Sequence, residues 1–322
     1  MGLLATALAL PAPAGAAGAK ASTPDLTSRD LTGTWTNAWY THLQRPKAFT
    51  ALAATPAEAE AYENPRRKLH GDIVLPDDVL GQNASEFPDN GPGLARIGGE
   101  IRTSWITDPA DGRIPYRPDA PKGVHAPLDT GDYDNPEARD TDEQCLTDPG
   151  AGAPILNDHD ANLIELVMTG DKRTGGLLAI VGEKNHQARI VPILAAGGAG
   201  RAPQGPAPGD WMGASVGHWE GATLVVVTTN LRPGLTKLGG GLFLSEHARV
   251  TERFTRTGPD RIAYAFEVED PTLFTKAWKA EEVFRPAEGR MFEYACHEGN
   301  YGLPNIMSAA RAKDAAGATG GK

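Results

Sequence analysis

The chain has 322 residues, 40% of them hydrophobic, and a formal net charge of −10. That apolar content is enough for a sizeable core, while the acidic balance excludes partners that demand a basic footprint, so neither nucleic acid nor an anionic membrane surface is expected. Gly 38 and Pro 26 together make roughly a fifth of the sequence, which suits a loop-rich β-protein better than a helical bundle.

The first stretch, Met1 to Leu10, is apolar and runs into Ala/Gly-rich sequence ending near Ala21. It reads as a signal peptide over residues 1–21, with small-residue cleavage options at Ala17-Gly18-Ala19 or Ala19-Lys20-Ala21. A periplasmic or secreted location follows as an expectation. No later apolar run reaches about 18 residues, so no membrane span is expected. Residues 22–312 are read as one β-rich domain.

Gly33-Thr34-Trp35 is a G-x-W step at the head of a strand, a pattern that lipocalin-like barrels use to close one end. Helix character follows Thr55-Pro56, where Ala and Glu dominate up to His70. Residues 71–160 are mostly loop, with one strand expected over Ile101–Asp108 and a turn at Asp108-Pro109-Ala110-Asp111-Gly112. The second half changes character. Strands are expected over Ala161–Thr169, Leu177–Glu183, Ala188–Leu194, Thr223–Asn230, Ala248–Thr255, Arg261–Glu269, Ala277–Arg285 and Arg290–His297. Gly258-Pro259-Asp260, Asp270-Pro271 and Glu288-Gly289 mark turns between some of them, and the spacing suggests an antiparallel meander. Residues 313–322 read as a disordered tail.

Only two cysteines occur, Cys145 and Cys296. They either pair, as export favours, or remain buried thiols in separate strands.

Period-2 reading finds polar residues on apolar faces. Glu252 shares a face with Ala248, Val250 and Phe254. A buried carboxylate without a partner is costly, so it needs an arginine such as Arg189 or Arg253, or a chemical task. His186 heads a face with Ala188, Ile190 and Pro192, and Arg189 is read as pointing the other way. Phe292, Tyr294, Cys296 and Glu298 share one face of the last expected strand, opposite Glu293, Ala295 and His297. His218 and Glu220 share parity. The imidazoles and carboxylates would suit a divalent metal, yet no H-E-x-x-H or clustered histidine spacing occurs, and the reading is cofactor-free. Gly213-Ala214-Ser215-Val216-Gly217 matches a nucleophile elbow only by letter, because a strand–turn–helix setting is missing. Gly239-Gly240-Gly241 lacks the setting of a dinucleotide site.

Three segments carry a resemblance. They are Trp211 to Val226 (WMGASVGHWEGATLVV), Val250 to Arg256 (VTERFTR) and Glu293 to Gly302 (EYACHEGNYG). They resemble signatures of a large, little-characterised family of exported bacterial β-rich proteins. Glu183-x-x-His186-x-x-Arg189-Ile190, Asn135-Pro136-Glu137-x-Arg139 and Glu143-Gln144-Cys145-Leu146 fit as looser matches, so the likeness covers roughly 100–310. The family usually has Asp where this chain has Ala214 and Ala222, and often His at Arg249. The resemblance implies a fold and candidate positions but no reaction.

The combined expectation is a mainly antiparallel, lipocalin-like (calycin-like) barrel with a loop-rich N-terminal half and one or two short helices. An inward set of His186, Glu252 and His297 is the candidate acid–base group. Arg189, His218, Glu220, Arg253, Tyr294, Glu298, Asn300 and Tyr301 are candidate substrate contacts. That points to an exported lyase, isomerase or hydrolase acting on a small, partly apolar ligand. The alternative is a periplasmic carrier without catalysis. Oligomeric state is not readable from the sequence.

Overall fold

The computed structural model describes residues 29–72, 91–120, 135–139, 143–146, 152–156, 163–171, 175–195, 211–232, 237–238, 242–287 and 289–319. The expected signal peptide over residues 1–21 and the Gly239–Gly241 run lie outside them.

The N-terminal half contributes β1 (Gly33–Thr36), β2 (Ala53–Ala54), helix α1 (Pro56–Asp72), β3 (Arg96–Ile97), β4 (Glu100–Arg102) and β5 (Ile106–Asp108). The second half contributes β6 (Leu163–Asp171), β7 (Gly175–Gly182), β8 (Ala188–Ile193), β9 (Ala214–Glu220) and β10 (Thr223–Thr229). After the short pair β11 (Lys237–Leu238) and β12 (Leu242–Phe243) come β13 (Arg249–Gly258), β14 (Arg261–Glu269) and β15 (Trp278–Pro286). Two helices end the chain, α2 (Cys296–Gly299) and α3 (Gly302–Thr319).

Nine strands close into a barrel in the order β1-β6-β7-β8-β9-β10-β13-β14-β15, with β1 returning to β15. Closure removes the open sheet edges that would otherwise invite pairing with other chains. β5 adds to the free part of the β15 edge. All barrel pairings are antiparallel except β8–β9, which is parallel and held by one register pair, Ile193 with Gly217, and a hydrogen bond from Leu194 N–H to Gly217 O. The β1–β15 closure is also short, with Trp35 opposite Pro286 and Thr36 opposite Arg285. The barrel is therefore two well-zipped halves, β1-β6-β7-β8 and β9-β10-β13-β14-β15, joined along two thin seams.

Alternation fills the barrel. Leu166, Leu178, Leu224, Phe254, Ile262, Tyr264 and Phe284 are fully buried inside, and Trp105, Ile106, Ile155 and Trp278 extend the same core. Tyr264 stacks against Phe254 at 4.9 Å and Phe284 at 5.0 Å between ring centres. Trp35 is buried in this core, and its indole N–H donates to Leu31 O at 3.0 Å. A second cluster joins α1 to the small sheet β2-β4-β3 through Phe49, Tyr62, Leu94 and Ile101. The α1 start is a capping box, as Thr55 N–H donates to Glu58 Oε2 at 2.8 Å and Glu58 N–H returns to Thr55 Oγ1 at 3.3 Å. Among the described residues, no helix is long and apolar enough to cross a membrane.

Four expectations need correction. The strand expected over Arg290–His297 does not form. The barrel is already closed by β15 and β1, so no edge remains for it, and Cys296–Gly299 is helical. The stretch 313–322, expected to be disordered, is helical through Thr319, in keeping with its high alanine content. The single strand expected over Ile101–Asp108 is split into β4 and β5. Finally, Ala214–Glu220, absent from the expected strands, is a full strand.

Candidate functional site

The barrel interior holds an ion pair. Glu252 lies between Val226 and Phe266 on neighbouring strands and is fully buried. Its partner is Arg189, which is 3% exposed and grips it in bidentate fashion: Nη1 donates to Glu252 Oε2, and Nη2 to Oε1 at 2.8 Å. Arg189 therefore points inward with Val191 and Ile193, while Ile190 points out at 53% exposure, the reverse of the face assignment drawn from the sequence. The physical reason is Glu252 itself, which needs a counter-charge inside.

The network continues on both sides. Tyr264 donates its O–H to Glu252 Oε1 at 2.8 Å and accepts the Ile155 N–H at 2.8 Å. Arg189 Nη1 also donates to Thr228 Oγ1 at 3.2 Å, and Thr228 shares a hydrogen bond with Ser215 Oγ at 2.8 Å. Burial pushes the Tyr264 hydroxyl pKa well up, and the neighbouring Glu252 charge adds to it. For Arg189, burial acts to lower the pKa, but the charge and hydrogen bonds of Glu252 outweigh it and the net direction is up. β8 and β13 are not neighbours in the barrel, so this pair spans the interior and ties one half to the other.

Removing one partner would strand a buried charge. We expect Glu252→Ala to lower unfolding free energy by about 3 to 5 kcal/mol, read from urea denaturation. An Arg189→Met, Glu252→Leu double variant should recover most of that loss. A double variant as unstable as the single one would contradict the assignment.

A second carboxyl shares the interior. Glu282 is cross-strand partner to Tyr264 and is 1% exposed. Asn37 Nδ2 donates to its Oε2 at 3.1 Å, and its Oε1 has no partner among the described residues. Burial raises its pKa from 4.5 to about 8, against the smaller lowering effect of Asn37. The interior thus holds one carboxyl neutralised by an arginine and one held protonated. Sequence reasoning missed Glu282, although Trp278, Ala280 and Phe284 share its parity and mark it by the same logic as Glu252.

The other expected residues fall in two further places. On the outside of the barrel, His218 Nε2 meets Glu220 Oε1 at 3.1 Å, and Arg253 Nη1 donates to Glu220 Oε2 at 2.7 Å. The Arg253 and His218 hydrogen bonds hold the Glu220 pKa below the usual carboxylate range. This trio is a surface row across β9, β10 and β13.

The third group surrounds the disulfide, which does form between Cys145 and Cys296. Asn300 Nδ2 donates to Glu143 O at 2.8 Å, Lys184 sits over the Tyr294 ring at 5.9 Å, and Arg139 Nε and Nη2 pair with Glu143 at 2.7 and 2.9 Å. His297, Glu298 and Tyr301 are exposed here. His186 lies in the adjacent turn Lys184–His186, and its side chain falls outside the described residues. Glu252 and His297 are therefore not in one group, since the first is sealed inside and the second faces outward. Among the described residues, no three His, Cys, Asp or Glu side chains come together in a metal-binding arrangement.

The opposite barrel end carries a cleft of about 350 Å³. Its lining includes Met168, Ile193 and Trp219 from the inward-facing sets of β6, β8 and β9, with Thr32, Thr169, Arg29 and Asp30 at the rim. Gly176 lets β6 and β7 approach closely there, because a Cβ would lie 2.0 Å from Thr169 O. Gly221 allows the narrow β9–β10 turn with φ +61°. β7 runs from this cleft to the disulfide group, so the two places are about 20 Å apart along the strand. No sequence signal pointed to the cleft, because Arg29 and Gly221, which it touches, are 192 residues apart.

No protein-family model, curated protein or solved structure matches the chain.

Proposed function

We propose that this is an exported small-molecule binding protein that holds a compact ligand at the open end of its barrel. The observation that carries the reading is the cleft lined by Met168, Ile193 and Trp219, which lies at the small end of the range for ligand sites. The deeper interior is occupied by aromatic side chains and by a hydrogen-bonded ion pair, an arrangement suited to holding the scaffold rigid. The resemblance to exported β-rich proteins and the signal-peptide reading support placing it in the periplasm or outside the cell.

The test is direct. Mass spectrometry of the protein's denatured extract should return a bound small molecule, and adding that molecule to stripped protein should change tryptophan fluorescence. The change should be lost in Trp219→Phe. A fluorescence response that survives intact in that variant would remove the mouth as the site.

A second reading, acid–base catalysis by a lyase, isomerase or hydrolase, is favoured by Glu282 alone. A carboxyl held protonated to about 8 beside a tyrosine is the sort of group that supplies a proton. It would be preferred if the recovered molecule were converted to a product on incubation and Glu282→Gln stopped that conversion.

A further inference from the structure

We infer that the mouth cleft selects a monoanion with an apolar body and that Arg29 receives the anionic group; this rests on the binding reading above. Arg29 uses only part of its guanidinium. Its Nε donates to Gly221 O at 2.8 Å, and its Cζ lies over the Trp219 ring, 5.1 Å from the ring centre. Neither Nη group forms a hydrogen bond among the described residues, and Arg29 is one of the residues that line the cleft.

The neighbouring cation is differently placed. Arg256 donates from Nη1 to Asp30 O at 3.0 Å, from Nη2 to Pro259 O at 2.7 Å and from Nε to Gly258 O at 3.2 Å, so all three of its nitrogens are engaged. Its charge still adds to the local field. The acid at the rim, Asp30, accepts the Thr32 N–H at 2.9 Å. Arg29 and Arg256 thus both stand next to Asp30 at this corner.

The parts fit one kind of guest. Stacking on Trp219 and anchorage to Gly221 hold the guanidinium in a fixed orientation, which lowers the entropy lost when it engages a ligand. A carboxylate or sulfonate can take two parallel hydrogen bonds from its free edge. Met168, Ile193 and the Trp219 ring then cover an apolar or aromatic body, and Thr32 and Thr169 provide adaptable hydroxyls at the rim.

The experiment uses three probes of similar shape: 2-naphthoate, 2-naphthamide and 2-naphthylmethylammonium. Each is titrated by calorimetry against wild type, Arg29→Met and Trp219→Ala at low ionic strength. Wild type should bind naphthoate at least about tenfold more tightly than naphthamide, the margin of a charge-assisted pair. Arg29→Met should bring naphthoate down to the naphthamide level while changing naphthamide binding by no more than about twofold, as expected when only the charged contact is lost. Trp219→Ala should weaken both.

Equal binding of naphthoate and naphthamide, both sensitive to Trp219→Ala, would overturn the anion assignment and leave the cleft as a binding site. Tightest binding of the cation would overturn it in favour of Asp30. Failure of all three probes to respond to either substitution would overturn the binding reading itself. Thermal melts of the variants confirm that the barrel is intact before affinities are compared.

Discussion

Raising the pH from about 4.5 to 8 should destabilise the protein by on the order of 5 kcal/mol through Glu282 alone. The sign follows from proton binding. In the unfolded chain this carboxyl ionises near 4.5, whereas in the barrel it keeps its proton to about 8. Between those values the folded state binds more protons than the unfolded one, so stability falls as pH rises. Below about 4.5 both states are protonated and above about 8 both are ionised, so this group's contribution is flat outside the window. The cause is local: one Asn37 donor, one carboxyl oxygen without a partner, and a Tyr264 hydroxyl already committed to Glu252. Glu282→Gln cannot ionise, so its stability advantage over wild type should grow steadily across that window in urea titrations. Parallel pH profiles for wild type and variant would contradict the assignment.

Loss of the Cys145–Cys296 disulfide should cost a comparable amount. The cross-link closes a span of 151 residues, and the chain-entropy model assigns a loop of that size about 5 kcal/mol. For a chain of this size the melting temperature should fall by roughly 7 °C in Cys145→Ser, Cys296→Ser protein or under reductant. The effect has a local side as well. Among the described residues from 289 onward none takes part in a strand, and the disulfide and the Asn300 contact to Glu143 are among the links that hold the segment bearing α2 and α3. Met307 is buried within α3. Amide exchange in α3 should therefore speed up more than in β13 or β14 when the cross-link is removed. An unchanged melt under full reduction would show that the link adds nothing to the fold.

Much of the barrel was legible because strand alternation is a local signal. Arg261–Glu269 was bounded correctly, and six other strands were placed within a few residues, since β-branched and aromatic residues alternate with polar ones there. Glu252 stood out for the same reason. The orientation of Arg189 did not, because Ala188-Ile190-Pro192 and Val191-Ile193 are both apolar rows and only the partner across the barrel decides between them. The last signature misled for a physical reason too. Phe292, Tyr294 and Cys296 alternate like a strand, but a sheet that has already closed offers no partner, and Phe292 is left 73% exposed. The cleft was illegible throughout, since it is assembled from residues far apart in the chain, and alternation says nothing about which distant rims meet.

The seam between β1 and β15 also bears on how the molecule must be made. The wall is completed only when Trp35 finds Pro286, so one of the earliest strands to emerge waits for the last one. Contacts of such long sequence separation form slowly. Until then the first strand has a bare edge, and the polar pair that spans the interior has no enclosed space to occupy. This wall cannot be completed from its leading end alone; its closure waits until β15 is available to pair with β1.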